Sequence, residues 1–87
     1  DIKPGGYEIL NAAEEFVKEK LKAPSTAEFS SLSETSIIET SDPNVYEVRG
    51  YVDAQNSFGA MLRNKYFVRL HFSPFNKTYS ILDITIE

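Results

Sequence analysis

Few side chains in this sequence are able to carry chemistry, and their types settle much of what it can do. Cysteine is absent and histidine occurs once, as His71. No disulfide, thiolate nucleophile or thiolate zinc site is possible, and a histidine-based metal site would need further ligands at fixed spacing. Between Arg69 and Ser73, His71 is expected on the solvent side of a strand. Serine-histidine-aspartate chemistry lacks its usual support, since no G-x-S-x-G turn presents a serine. Glu47, Asp53 and Asp83 are the carboxylates that suggest paired acid-base work, which requires one of them to hold its proton near neutral pH. Each is expected to face a cation across a sheet and so to stay ionised. The chain therefore reads as non-enzymatic, with no metal and no cofactor.

A second chemistry is nucleic-acid binding. Arg49, Arg63, Lys65 and Arg69 interleave with Tyr51 and Phe67, loosely like a sheet that stacks bases. Glu47, Asp53, Asp83 and Glu87 share the same alternate positions and offset them. Over all 87 residues, 13 acidic and 9 basic side chains leave a net charge of −4, the wrong sign for holding phosphate backbones. The expected partner is a protein, not a nucleic acid.

The stretch from Val52 to Arg63 is unusual for a hairpin. Its middle carries the turn formers Asn56, Ser57 and Gly59, yet Phe58, Met61 and Leu62 cluster around them, and an exposed apolar group at such a tip marks a contact surface. Gln55, Asn56, Ser57, Phe58 and Met61 are the candidate binding residues. The alternative is that Phe58 folds back over an open end of the core, with Gly59 supplying a positive φ.

These side chains need elements to position them. One small domain, residues 1–87, is expected at this length. The Lys3-Pro4-Gly5-Gly6 cluster marks residues 1–6 as a flexible N-terminal segment, after which a helical period begins. Helix is expected over 7–23, with Ile9, Ala13, Phe16 and Val17 on the buried side, Leu10 and Leu21 at its edge, and Pro24 as the stop. Ser25-Thr26-Ala27-Glu28 fits a reciprocal cap for a short following turn. Residues 30–36 read as a connector, and from there to residue 87 the period is two. Strands are expected near 35–41, 45–55, 62–73 and 79–86.

Charge chooses the register. If paired positions in the middle hairpin sum to 116, Asp53 faces Arg63 and Glu47 faces Arg69, whereas neighbouring registers oppose like charges. A sum of 152 in the last hairpin pairs Arg69 with Asp83, Lys65 with Glu87, Leu70 with Leu82 and Val68 with Ile84. The expected core is Phe16, Val17, Tyr46, Val48, Val52, Val68, Leu70, Phe72, Leu82 and Ile84. The fold class is α+β, a two-layer sandwich with one N-terminal helix on a four-stranded antiparallel meander.

Two motifs then suggest a family. Leu21 to Phe29, with its Ala-Pro-Ser-Thr-Ala-Glu-Phe run, and Gly50-Tyr51-Val52-Asp53-Ala54-Gln55-Asn56-Ser57-Phe58-Gly59-Ala60, followed by Arg63 and Tyr66, resemble a family of small uncharacterised domains in bacterial and phage-encoded proteins. Members often stand behind an export or lipoprotein signal. The resemblance covers about residues 7 to 72 and implies an extracytoplasmic, non-enzymatic interaction module, without assigning site residues. The chain begins with Asp1, so it is expected to be a processed form or a piece of something longer. No run approaches the length of a membrane span. A weaker similarity is to the cystatins, whose inhibitory wedge has a glycine near the N-terminus and two hairpin loops. Gly5-Gly6, the Gln55–Gly59 hairpin and Pro74-Phe75 stand in comparable places, which implies a protease inhibitor as the alternative function.

Overall fold

A computed structural model describes residues 3–87, so Asp1 and Ile2, the start of the expected flexible segment, lie outside the described residues. Lys3 Nζ lies 3.3 Å from a Glu39 carboxylate oxygen, and Gly6 already belongs to a helix.

Helix α1 spans Gly6–Lys18. The Glu8 carboxylate accepts a hydrogen bond from the Gly5 N–H at 2.9 Å, closing the first turn. Ile9, Leu10, Ala13 and Val17 form the buried stripe, centred a little further round the helix than the sequence suggests. Phe16 is consequently at the margin, half-buried and outside the core cluster, which corrects its expected place. The helix also ends well before residue 23. Lys20 N–H bonds the Val17 carbonyl and Leu21 N–H the Lys18 carbonyl, a tightening turn that lets Leu21 pack against the core. Tertiary docking here overrides the helix propensity of Glu19 and Lys20.

Five strands follow: β1 (Glu28–Phe29), β2 (Ser36–Glu39), β3 (Val45–Gln55), β4 (Met61–Ser73) and β5 (Thr78–Ile86). They form one antiparallel sheet in the order β1-β3-β4-β5, and β2 also pairs with β3. β1 meets Val52 and Asp53, while β2 meets Tyr46 to Arg49, so the two share the outer edge of β3 end to end. The first strand of the expected meander is thus β2, and β1, in a stretch expected as a capped turn, adds a short strand beside it on the same edge. Between the two, Ser30 N–H bonds the Tyr51 carbonyl at 2.9 Å and its hydroxyl accepts from the Tyr51 N–H at 3.1 Å. The expected cap at Ser25 does not form, and the turn Pro24–Thr26 has no side-chain cap. The reciprocal cap is instead Ser31 with Glu34, around the short turn Leu32–Glu34.

The β3–β4 register is the one charge selects, with Asp53 opposite Arg63 and Glu47 opposite Arg69. In the β4–β5 hairpin, Tyr66 to Arg69 keep the expected partners, including Val68 with Ile84 and Arg69 with Asp83. A bulge between Arg69 and Leu70 then shifts the rest, so that Leu70 faces Ile81, not Leu82. Leu82 is therefore 53% exposed and leaves the core, and Tyr79 packs on Phe72 with ring centroids 5.2 Å apart. Val17, Tyr46, Val48, Val52, Val68, Leu70 and Phe72 are buried as expected, with Ile84 packed against them. Ile9, Leu10, Ala13, Ala54 and Tyr66 complete the cluster between helix and sheet.

Candidate functional site

The candidate residues sit at the tip joining β3 to β4. Asn56 organises it. Its side-chain Oδ1 accepts hydrogen bonds from the N–H groups of Phe58 (2.9 Å) and Ala60 (3.0 Å), and its carbonyl accepts from the Gly59 N–H at 3.0 Å. Asn56 N–H in turn donates to the Ala60 carbonyl at 2.9 Å. Gly59 supplies the left-handed step, φ +84°, that closes the turn. The result is a tied loop whose middle residue, Phe58, is 92% exposed. Phe58 does not cap the core.

Around Phe58 the apolar surface continues on both sides of the hairpin. Gln55 pairs with Met61, which is 46% exposed, and Ala54 pairs with Leu62, 49% exposed on the helix side. Ser57 is exposed beside Phe58. Because α1 stops at Lys18, the sheet outruns the helix here and leaves a shallow groove of about 210 Å³ lined by Lys20, Leu21, Gln55, Asn56, Leu62 and Ile86. Its charged lining is lysine alone. Sequence reading missed the groove, because its existence depends on where the helix ends.

The tip is anchored to the rest of the fold through Thr26. Its hydroxyl donates to the Ala23 carbonyl at 2.7 Å and accepts from the Gln55 N–H at 3.0 Å. The segment Leu21 to Phe29 and the segment Gly50 to Ala60 are thus neighbours, joined further by the pairs Glu28 with Asp53 and Phe29 with Val52. Gly50 is needed at this junction. A Cβ there would come within 2.6 Å of Ser30 Oγ and 2.8 Å of the Tyr66 hydroxyl, which burial has pushed up to a pKa of about 12.

The helix-free face carries the charged ladder. Arg63 holds Asp53 with two hydrogen bonds, 2.8 and 2.9 Å, and its guanidinium lies 3.8 Å from the Tyr51 ring centroid. Tyr51 donates its hydroxyl to Glu34 at 3.1 Å. Arg69 donates to Glu47 at 2.9 and 3.1 Å, and Arg49 stacks over Phe67 at 4.5 Å. Hydrogen bonds from Arg69 and Arg63 hold the Glu47 and Asp53 carboxyls below their ordinary values. Neither is poised to hold a proton at neutral pH. The arginine-aromatic contacts that suggested base stacking are largely committed within the ladder. His71 pairs with Val45, away from the tip. Among the described residues, no group of three or more His, Cys, Asp and Glu side chains could hold a metal ion.

Pro74 and Phe75 lie in the β4–β5 turn, at the other end of the 13-residue β4. Phe75 is 99% exposed there. A strand of that length separates the two turns by roughly 40 Å, so the geometry does not bring the Gln55–Gly59 hairpin and Pro74-Phe75 into one wedge.

No family model, curated protein or solved structure matches the chain.

Proposed function

We propose that this protein is a non-enzymatic protein-interaction module that meets its partner with the β3–β4 tip. Phe58 is the anchor, and Gln55, Asn56, Ser57 and Met61 form its surround. One observation carries this reading: a 92% exposed phenylalanine on a turn tied by four hydrogen bonds through a single asparagine. An ordered apolar anchor loses little freedom when it is buried against a partner, and aromatic anchors supply much of the energy of protein interfaces. The flanking Met61 and Leu62 extend the apolar area, and the Lys20 and Lys22 rim favours a partner surface with carboxylates.

The setting we propose is an exported or cell-surface protein of a bacterium or phage. It rests on the resemblance of the Leu21–Phe29 and Gly50–Ala60 segments to the small domains of such proteins, and the direct contact between the segments gives them a shared structural reason. No described helix is long and apolar enough to cross a membrane.

The test places a photo-crosslinking phenylalanine analogue at position 58 and, separately, at position 75, in otherwise native protein exposed to bacterial extracts. A distinct protein crosslinked from position 58 and absent from position 75 is expected. Identical products from both positions would reject the tip as the specific contact.

A further inference from the structure

The sheet has two edges, and they differ. β1 and β2 cover the outer side of β3, whereas among the described residues β5 pairs only with β4. Natural edges are blunted by lysine, proline, short length or bulges. Thr78–Ile86 contains no lysine, proline or glycine and a single charge, Asp83, so its chief blunting device is the bulge beside Leu82. Beyond that bulge, Asp83 to Ile86 run regularly.

The hydrogen-bond phase of this stretch is set by Glu87, whose N–H donates to the Lys65 carbonyl at 2.9 Å. Antiparallel pairs alternate, so Thr85 and Asp83 also bond β4, and the N–H and C=O groups of Ile86 and Ile84 point to the free side. The side chains of both isoleucines lie on the helix side, lining a shallow cavity of about 440 Å³ with Lys20. On the other side, Asp83 faces Arg69 in register, but the Arg69 guanidinium is taken by Glu47. Among the described residues Asp83 has no ion pair.

We propose that the free edge of β5 from Asp83 to Ile86 takes up an extended segment of a partner protein by antiparallel strand addition, reading apolar, any residue, apolar, basic. The apolar residues fall opposite Ile86 and Ile84 over the cavity, and the basic residue falls opposite Asp83, completing the ladder that Arg69 leaves open. A second copy of this chain fits less well. Over the same stretch, self-pairing either opposes Asp83 to Glu87 or leaves Asp83 without a cation, since the strand contains none. This surface adjoins the groove beside the β3–β4 tip, sharing Lys20 and Ile86 with it, but it uses no contact from Phe58 and stands whether or not Phe58 meets a partner.

The probe is the capped hexapeptide Thr-Val-Thr-Val-Lys-Thr, compared with the same peptide carrying Glu for Lys, titrated into the labelled protein at millimolar concentration. Amide exchange at Ile84 and Ile86 is the readout. The Lys peptide is expected to slow both amides, and the Glu peptide to need a concentration higher by about fivefold or more, the size of a favourable against an unfavourable cross-strand charge pair. Asp83→Lys should invert this order, Asp83→Asn should erase it, and Phe58→Ala should leave it unchanged. The proposal is overturned by unaltered exchange at Ile84 and Ile86, by equal response to both peptides, or by protection without peptide that grows with protein concentration, which would place a second copy on the edge.

Discussion

At Asn56 a single side chain decides the shape of the candidate contact while touching none of its apolar surface. Asn56→Ala leaves the Phe58 and Ala60 N–H groups without their acceptor, and urea unfolding should show a loss of about 1–2 kcal/mol. Partner binding should weaken as well, although Phe58 is still present. Gly50→Ala acts elsewhere by crowding, because Ser30 Oγ and the Tyr66 hydroxyl are both buried and have little room to give; about 1–3 kcal/mol is expected from the same measurement. The ladder carboxylates set an acid limit. Glu47 and Asp53 titrate lower in the folded chain than their ordinary values of 4.5 and 3.8, so the unfolded state binds more protons across that window. Their contribution is fully present above those values and is lost as pH falls through the lower, folded ones. Replacing Arg63 and Arg69 by glutamine should flatten the acid limb of a stability profile, and an unchanged limb would mean the pairs contribute nothing.

At the scale of elements, alternation of apolar and charged residues made β3, β4 and their register legible, since only one pairing avoids opposing like charges. The bulge was not legible. Ile81 and Leu82 are adjacent and both apolar, and Arg69 keeps Asp83 in either arrangement, so neither pattern nor charge marks the slip. Leu70→Ala should cost about 2–5 kcal/mol, whereas Leu82→Thr should stay within about 0.5 kcal/mol. Equal losses from the two changes would contradict the bulge. The helix end was hidden because Glu19 and Lys20 are good helix formers and Pro24 is the first breaker after them. β1 has only two residues, too few to show a period, and is located by Thr26 and Ser30 instead. Thr26→Val removes the acceptor of the Gln55 N–H and the donor to Ala23; faster amide exchange at Gln55 and a loss of about 1–2 kcal/mol are expected.

Across the whole molecule, 46 Å in its longest dimension, β4 separates two turns that each display a phenylalanine. The tip at Gln55 to Met61 could be read in advance from turn formers enclosing Phe58, though whether that ring was buried depended on packing. The turn holding Pro74-Phe75 was legible too, but not the exposure of Phe75, and the groove beside Lys20 was hidden because it arises only where the sheet outruns the helix. In the proposed role, Phe58 serves contact, not folding. Its most direct test is Phe58→Ala, assayed for urea unfolding and for retention of the protein crosslinked from position 58, with Phe75→Ala as control. Stability within about 1 kcal/mol of the native chain, with that protein lost for Phe58→Ala and kept for Phe75→Ala, is the predicted result. A stability loss of several kcal/mol with binding retained would contradict it.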